Sequence, residues 1–443
     1  MVALAACGGD SDDGPGGWTL GFGGAGTDAP NALEITPSGG VAVTGLFSQT
    51  AAAGDVSLAS ADVYDAFVLV VDSDGAAMWG ERLGGAGNDY GQALAVDTDG
   101  SVVVIGSFAE KVSLGDDTLS TTGGTDVFVA RLSADGEPAW LRRFGGSGED
   151  FGRGVAIAPD GDILIAGEFS GTAGFDENTR VQSMGETDVF YARLGPDGAP
   201  AWVMGAGGRG FDAATDIAAD SDGGFALAGT FESSIHFAAQ ELSSKGFFDA
   251  FVAGFDAGGN ARWARRIGDD NDDFARGVAA GAGGTIAVTG EFDGTVDFGA
   301  GEQTSSGYDA FVAVYSAADG GPLWSATFTG DGYGTGQGIA YDADDQLVFA
   351  GGFAETMSAG GLQVTSGGSN DVAVARFDPT GTCQWLQRFG GAMDDGAKAV
   401  AVDAPSGTPV IAGYFNGTGN FAHAQLTSAG ARDAFVLSLP QAE

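Results

Sequence analysis

The chain has 443 residues, of which 80 are glycine and only 18% are charged. Asp and Glu number 60 against 18 for Lys and Arg, so the formal net charge is −42. Such a charge repels phosphate backbones and anionic membrane surfaces, which argues against nucleic acid as a partner. The longest apolar runs, such as Ala66–Val71, are far shorter than the ~20 residues that a membrane helix needs.

Residues 1–7 end with Leu4-Ala5-Ala6-Cys7, and this sequence resembles a bacterial lipobox. The resemblance implies lipid attachment at Cys7, with residues 1–7 as a truncated lipoprotein signal, since a full signal carries an apolar run of about 7 to 15 residues. Gly8 resembles the outer-membrane sorting pattern. Residues 8–17 are polar and rich in Gly and Asp, which predicts a flexible tether. Residues 18–443 are predicted to form the folded body.

Three residue series recur with one period along this body, each seven times. The tryptophans, 61 or 62 residues apart, are Trp18, Trp79, Trp140, Trp202, Trp263, Trp324 and Trp385. Phenylalanines two residues after a glycine are Phe47, Phe108, Phe169, Phe231, Phe292, Phe353 and Phe415. Aspartates that open an apolar run are Asp65, Asp126, Asp188, Asp249, Asp309, Asp371 and Asp433. The body is therefore a seven-fold repeat.

One unit shows the local structure that all seven share. It contains four short β-rich runs, which we name strands a to d: Gly154–Pro159, Asp162–Phe169, Asp188–Leu194 and Ala201–Ala206. Asp-Gly pairs separate the first two runs and the last two, and such pairs are a strong hairpin signal. A longer polar loop joins strands b and c. No window has a sustained helical period.

The two ends of the chain are complementary. The last unit stops after strand c (Asp433–Leu439), and the chain begins with an orphan strand d (Trp18–Gly24). Pairing the two removes two exposed sheet edges, whereas an open solenoid would leave both bare. We therefore predict an all-β, seven-bladed β-propeller with four antiparallel strands per blade, closed by the N-terminal strand. The tryptophans are predicted to pack, mostly buried, between neighbouring blades or against their own blade.

The repeat resembles the SBBP-type β-propeller repeat of bacterial surface proteins. The best match is Trp140 followed by Phe144-Gly145-Gly146-Ser147-Gly148-Glu149-Asp150, and the resemblance covers residues 18–439. The fifth and sixth units depart most, with Ile267-Gly268-Asp269 and Phe328-Thr329-Gly330 in place of Phe-Gly-Gly. The resemblance implies the fold and a surface location, but no activity, catalytic residue or substrate.

Several residues are candidates for chemical sites. Gly205–Gly210 fits G-x-G-x-x-G but lies at the turn after a strand d, which predicts no cofactor. His236 and His423 occupy non-equivalent loop positions, so no catalytic residue is assigned. Cys383 is predicted to be a free thiol.

A fourth series of aspartates lies ten residues after six of the tryptophans, with Gly334 in the remaining unit. These d–a loops share a face with the b–c loops, so one face carries about thirteen carboxylates. We predict that they accept backbone N–H groups. The alternative is Ca²⁺, which prefers oxygen ligands. The candidate Ca²⁺ ligands are Asp28, Asp89, Asp150, Asp212, Asp273 and Asp395.

The near-uniform blades favour a non-catalytic binding or scaffold module, monomeric and displayed on the cell envelope or outside the cell. Its expected partner is a protein or a carbohydrate, and it meets the membrane only through the lipid anchor. The alternative is a glycan-active hydrolase or lyase that uses acidic residues of the d–a/b–c face, because two carboxylates suffice for that chemistry.

Overall fold

The computed structural model describes residues 17–238 and 240–440. Within these residues the chain forms strands and turns, and no helix long and apolar enough to cross a bilayer is found there. The strands are β1 (Thr19–Gly24), β2 (Ala29–Ile35), β3 (Val41–Phe47), β4 (Thr50–Ala53), β5 (Val56–Ala59), β6 (Asp65–Val71), β7 (Ala77–Leu83), β8 (Asp89–Val96), β9 (Val102–Phe108), β10 (Lys111–Leu114), β11 (Asp117–Ser120), β12 (Asp126–Leu132), β13 (Pro138–Gly146), β14 (Asp150–Ile157), β15 (Ile163–Phe169), β16 (Thr172–Gly174), β17 (Arg180–Gln182), β18 (Asp188–Leu194), β19 (Pro200–Ala206), β20 (Asp212–Ala219), β21 (Phe225–Phe237), β22 (Gln240–Phe255), β23 (Ala261–Ile267), β24 (Phe274–Gly281), β25 (Thr285–Phe292), β26 (Thr295–Asp297), β27 (Glu302–Thr304), β28 (Asp309–Ser316), β29 (Pro322–Phe328), β30 (Gly334–Tyr341), β31 (Leu347–Ala359), β32 (Leu362–Phe377), β33 (Cys383–Gly391), β34 (Gly396–Asp403), β35 (Thr408–Phe415), β36 (Thr418–Phe421), β37 (Ala424–Thr427) and β38 (Asp433–Ser438).

Seven antiparallel four-stranded sheets form the blades of a β-propeller, as the repeat predicts. In strand order a to d the blades are β2-β3-β6-β7, β8-β9-β12-β13, β14-β15-β18-β19, β20-β21-β22-β23, β24-β25-β28-β29, β30-β31-β32-β33 and β34-β35-β38-β1. The innermost strands, a, surround a central channel. Apolar clusters fill the seven boundaries between adjacent blades, so each blade is stabilised mainly by its two neighbours.

The ring closes through the N-terminal strand, which confirms the prediction from the chain ends. β1 pairs antiparallel with β38, with Thr19 opposite Leu437 and Phe22 opposite Ala434. Phe22 is 1% exposed and packs against Phe67 of the first blade at a ring-centroid distance of 4.7 Å. The N-terminal strand therefore completes the seventh blade and joins it to the first.

The connections between strands b and c differ from the polar loop that the sequence predicted. Each is a β-hairpin, such as β4-β5 in the first blade, and in the fourth and sixth blades it continues the long strands β21-β22 and β31-β32. Hairpins pair with the end of strand d of the preceding blade, as β16 does with β13 and β36 with β33. These contacts link adjacent blades on the face that carries the d–a loops.

The tryptophans pack across the blade boundaries, but only Trp263, at 6% exposed, is fully buried, and the other six are half-buried. For six of them, all but Trp385, the indole ring lies against the glycine of the c–d turn in the next blade. The blade that follows Trp385 has no c–d turn, because its strand d is β1. The Trp18 ring, for example, would collide with a side chain on Gly75, and its Nε1 donates to the carbonyl of Ser73 at 2.9 Å. The neighbouring turn covers one side of each of these six rings, and five of the six remain half-buried.

Candidate functional site at the channel mouth

The innermost strands of all seven blades line a central cavity of about 870 Å³. This volume lies within the usual range for small-molecule sites. Strand a begins at the d–a loops and runs down the channel wall. Residues near its start therefore lie at the mouth on the d–a/b–c face, and the bridge between Tyr64 and Asn88 confirms that these two loop types meet there.

A β-bulge interrupts strand a of every blade at the same position. The bulged residue lies three residues after the aspartate of the fourth series, or after Gly334 in the sixth blade. A bulge leaves one residue without a partner on the adjacent strand and redirects its side chain. All seven bulged residues are polar and line the cavity. We call them the bulge ring: Asn31, Gln92, Arg153, Thr215, Arg276, Gln337 and Lys398.

The surrounding positions explain why the bulge ring dominates this level of the channel. Two residues further on, strand a carries a buried apolar side chain in every blade, such as Leu33 or Val278, both 5% exposed. The residue between is Ala or Gly in all blades except the fourth. The sequence reasoning missed the ring because its members differ in identity, although a comparison of the seven equivalent positions reveals seven polar residues in an otherwise apolar strand.

Two arginines of the bulge ring are held by glutamates from strand b of the same blade. Arg153 Nη2 lies 2.6 Å from Glu168 Oε1, and Arg276 Nη2 lies 2.5 Å from Glu291 Oε1. Both glutamates are nearly inaccessible to solvent, whereas the arginines are about one-third exposed. Glu291 also accepts a hydrogen bond from Thr335 at 2.7 Å. These pairs fix the guanidinium groups and neutralise their charge locally.

Aromatic side chains form a continuous arc over one side of the mouth, from the fourth blade to the sixth. Successive ring centroids along the arc are 6.0 to 6.4 Å apart, and Phe247 adds a contact of 4.9 Å to Phe248. Phe247 is 61% and Tyr333 45% exposed. The guanidinium of Arg276 lies 5.1 Å from the Phe274 ring centroid and connects the arc to the bulge ring. The members of this aromatic arc are Phe211, Phe247, Phe248, Phe274, Tyr308 and Tyr333.

Two carboxylates break the symmetry of the wall below the ring. Asp216 stands where the other blades have Ala or Gly, and Glu34 where they all have Ala. Glu34 is exposed to the channel and Asp216 is half-buried. Desolvation by the surrounding channel wall raises the pKa of both to about 7, and the charge of Asp216 adds to the effect on Glu34. Asp216 accepts backbone N–H groups of Ile217 and Val278 at 2.8 and 2.9 Å, so it bridges the fourth and fifth blades.

The six aspartates considered for Ca²⁺ are 0 to 1% exposed and lie at the starts of strands a. Each accepts the backbone N–H of the residue four positions earlier, as in Asp89 with Gly85 at 2.8 Å. The aspartates that open strands c are also buried, at 0 to 2% exposed. Among the described residues no group of three or more His, Cys, Asp and Glu has a metal-binding arrangement. Ca²⁺ binding at these positions stays the untested alternative, and calorimetry is expected to give no saturable Ca²⁺ isotherm.

These aspartates approach each other in pairs across the blade boundaries. A side chain on Gly145 would meet both Asp126 Oδ1, at 2.6 Å, and Asp150 Oδ2, at 2.8 Å. Burial raises the pKa of Asp150 to about 6 and those of Asp89, Asp212 and Asp273 to about 8, with the charge of the facing aspartate as a further cause.

The other sequence candidates lie apart from the channel mouth. His236 lies in β21 beside Glu241, 3.5 Å away, and His423 is exposed in the β36-β37 turn. Cys383 is a free thiol whose pKa burial raises to about 11. Gly205–Gly210 spans the end of β19 and the following turn, with no helix after it. Cys7, residues 1–7 and most of the predicted tether lie outside the described residues.

Comparisons with known proteins assign the chain to no family. No family model matches the chain, so the SBBP resemblance gains no support there. A stretch of 145 residues is 31% identical to the regulatory protein FlaEY of Caulobacter vibrioides, covering 30% of this chain and 14% of that protein. An uncharacterized WD repeat-containing protein, L264, of Acanthamoeba polyphaga mimivirus is 18% identical over 82% of this chain and 33% of its own length. The chain thus spans a third or less of either relative.

Solved structures with a related architecture include the Pan2 WD40 domain of Neurospora crassa, with a TM-score of 0.46 and 9% identity over 95% of this chain and 90% of that one. BamB of Moraxella catarrhalis gives 0.37 and 13% over 92% and 85%. Quinohemoprotein alcohol dehydrogenase of Comamonas testosteroni gives 0.42 and 8% over 93% and 77%. This chain is an all-β, seven-bladed β-propeller.

Proposed function

We propose that this propeller is a non-catalytic binding module that takes its ligand at the channel mouth on the d–a/b–c face. The carrying observation is the bulge ring, because seven bulges aim seven polar side chains into one cavity of about 870 Å³. The buried apolar residue two positions further on packs between the blades, so packing alone does not require a polar residue at the bulge. The aromatic arc beside the ring adds exposed apolar surface, which typically marks an interaction site.

Binding of the folded body, residues 17–443, to an array that carries both oligosaccharides and peptides tests the proposal. The double variant Gln92→Ala/Gln337→Ala should weaken binding about tenfold, because two hydrogen bonds of about 0.5 to 1.5 kcal/mol each are lost. Gln384→Ala, on the exposed outer strand β33, is the matched control and should bind normally. Unchanged binding by the double variant at an unchanged Tm would refute the channel mouth as the site.

A hydrolase is the second candidate, and the pair Glu34 and Asp216 favours it because both carboxyls have a pKa of about 7. Against it, both oxygens of Asp216 already accept backbone N–H groups. Binding without release of shortened products is therefore expected. If the parent chain releases shortened products and Glu34→Gln does not, the protein is a hydrolase instead.

Display on the cell envelope belongs to the same proposal and rests on the lipobox-like Leu4–Cys7. With a lipid on Cys7, the chain should partition with membranes, and Cys7→Ser should release it. Equal partitioning of both forms would remove the lipid anchor from the proposal.

A further inference from the structure

We propose that the ligand of the channel mouth is an uncharged saccharide chain, whose sugar rings stack on the aromatic arc while their hydroxyl groups bind the bulge ring. This inference rests on the proposed function and names the ligand class of the same site.

The aromatic arc supplies the apolar half of such a site. A pyranose ring has an apolar face of C–H groups, and these interact favourably with the electron-rich face of an aromatic ring. Phe247 and Tyr333 expose 61% and 45% of their surface, although burial would stabilise the fold. Edge-on contacts with Phe248 and Tyr308 hold the two rings, so little side-chain entropy is lost on binding.

The bulge ring supplies the polar half. A sugar hydroxyl both donates and accepts hydrogen bonds, and so do the amides of Asn31, Gln92 and Gln337. The Arg153–Glu168 and Arg276–Glu291 pairs place a donor beside an acceptor. The planar amide, guanidinium and carboxylate groups can each hydrogen-bond to two neighbouring hydroxyls on one sugar ring.

The charge of the mouth argues against an acidic ligand. Glutamates pair with both ring arginines, while burial lowers the pKa of the third cation, Lys398. Glu34 and Asp216 lie below the ring, and the whole chain carries −42. Anionic glycans and acidic peptides would thus meet a repulsive field. A protein partner would need about 800 Å² of matching surface, whereas the mouth is a concave opening with polar groups at its base.

Calorimetric titration in 0.15 M salt with cellohexaose, xylohexaose, mannohexaose and maltohexaose tests the inference. We expect saturable binding of at least one, weakened about tenfold by Phe247→Ala and by Tyr333→Ala, in line with about 1.4 kcal/mol per stacking contact. Leu323→Ala, which truncates a 52% exposed side chain on the outer strand β29, should leave affinity unchanged.

Polygalacturonate, heparin and an acidic peptide serve as the contrasting probes. If one of them binds at the ring and none of the neutral hexasaccharides does, the saccharide inference is wrong while the binding function stands. Neutral saccharide binding that neither arc variant alters would also overturn it. Loss of binding in Gln92→Ala/Gln337→Ala, measured in parallel, reports on the proposed function separately.

Discussion

The bulged residue of strand a is the smallest unit of the candidate site. In a regular strand its side chain would take one of the two alternating faces, and the next residue the other. The bulge breaks this alternation, so the polar side chain and the small residue after it both lie towards the channel, while the following apolar residue returns to the core. One extra residue per blade thus creates the ring without disturbing the packing between blades.

Removing one of the paired buried charges should stabilise the fold at high pH. Asp89 has a pKa of about 8, raised first by burial and then by the charge of Asp65, and Oδ1 of each has no hydrogen-bond donor among the described residues. Asp89→Asn keeps an acceptor for Gly85 and is neutral. We expect its Tm to exceed that of the parent at pH 9 and the difference to shrink at pH 5. Asp135→Asn, in an exposed c–d turn, is the control, and a lower Tm for Asp89→Asn at pH 9 would contradict the prediction.

The Asp series also shows what a sequence can and cannot predict. Its positions and its backbone N–H partners follow from the repeat, because local turns depend on residues four apart. The pairing of these aspartates across blade boundaries does not follow from the repeat, because Asp65 and Asp89 meet only once adjacent blades have packed. The charge-dependent rise in pKa belongs to that packed arrangement.

At the level of elements, the b–c hairpins were the main error of the sequence analysis. Gly54-Asp55 and Gly115-Asp116 are hairpin signals that were available. The strands on either side have only four residues and show no strong apolar alternation, which made the segments resemble polar loops. Such short strands persist because strand d of the preceding blade offers them a ready-made edge.

Strand d depends on its tryptophan for contact with the next blade. Trp263 is the most buried of the seven, and its Nε1 donates to the carbonyl of Ala317 at 2.9 Å. Trp263→Ala should destabilise the protein by about 3 to 5 kcal/mol. Half-buried Trp79→Ala should cost less, because less apolar surface is re-exposed. Urea unfolding monitored by circular dichroism gives both values, and an equal or reversed order would contradict this account of partial burial.

For the whole molecule, ring closure makes the N-terminal strand indispensable. Deleting residues 1–24 would expose the edge of β38 and leave Phe67 without its Phe22 contact. We expect loss of the monomer and aggregation in light-scattering measurements after size exclusion. Deleting residues 1–16 retains β1 and should leave a monomer with the parent Tm. A monomeric, equally stable protein without residues 1–24 would mean that closure contributes little.

The global architecture was predictable because seven copies of one pattern give the same information seven times, and the unpaired strand at each end determines the closure. The candidate site was not, because it depends on differences between copies. Glu34 and Asp216 are visible only as departures from Ala and Gly once the blades have been aligned on a bulge that the apolar pattern does not reveal.

Stability of the whole molecule should fall as the pH rises. Burial raises the pKa values of Asp28, Asp89, Asp212 and Asp273 to about 7 or 8, well above those of unfolded aspartates. The folded chain therefore binds more protons than the unfolded chain between about pH 4 and pH 8, and its free energy of unfolding decreases across this range. The Tm should be higher at pH 5 than at pH 8, by on the order of 10 °C.

Repulsion within a chain of net charge −42 changes with pH in the same direction, so salt is needed to separate the two causes. Surface repulsion is largely screened in 0.5 M NaCl, whereas the cost of desolvating a buried carboxylate is not. Scanning calorimetry should therefore retain most of the pH dependence at high salt. If 0.5 M NaCl removes the pH dependence of the Tm, surface charge controls it. The aspartate pairs at the blade boundaries then make no contribution to the pH dependence.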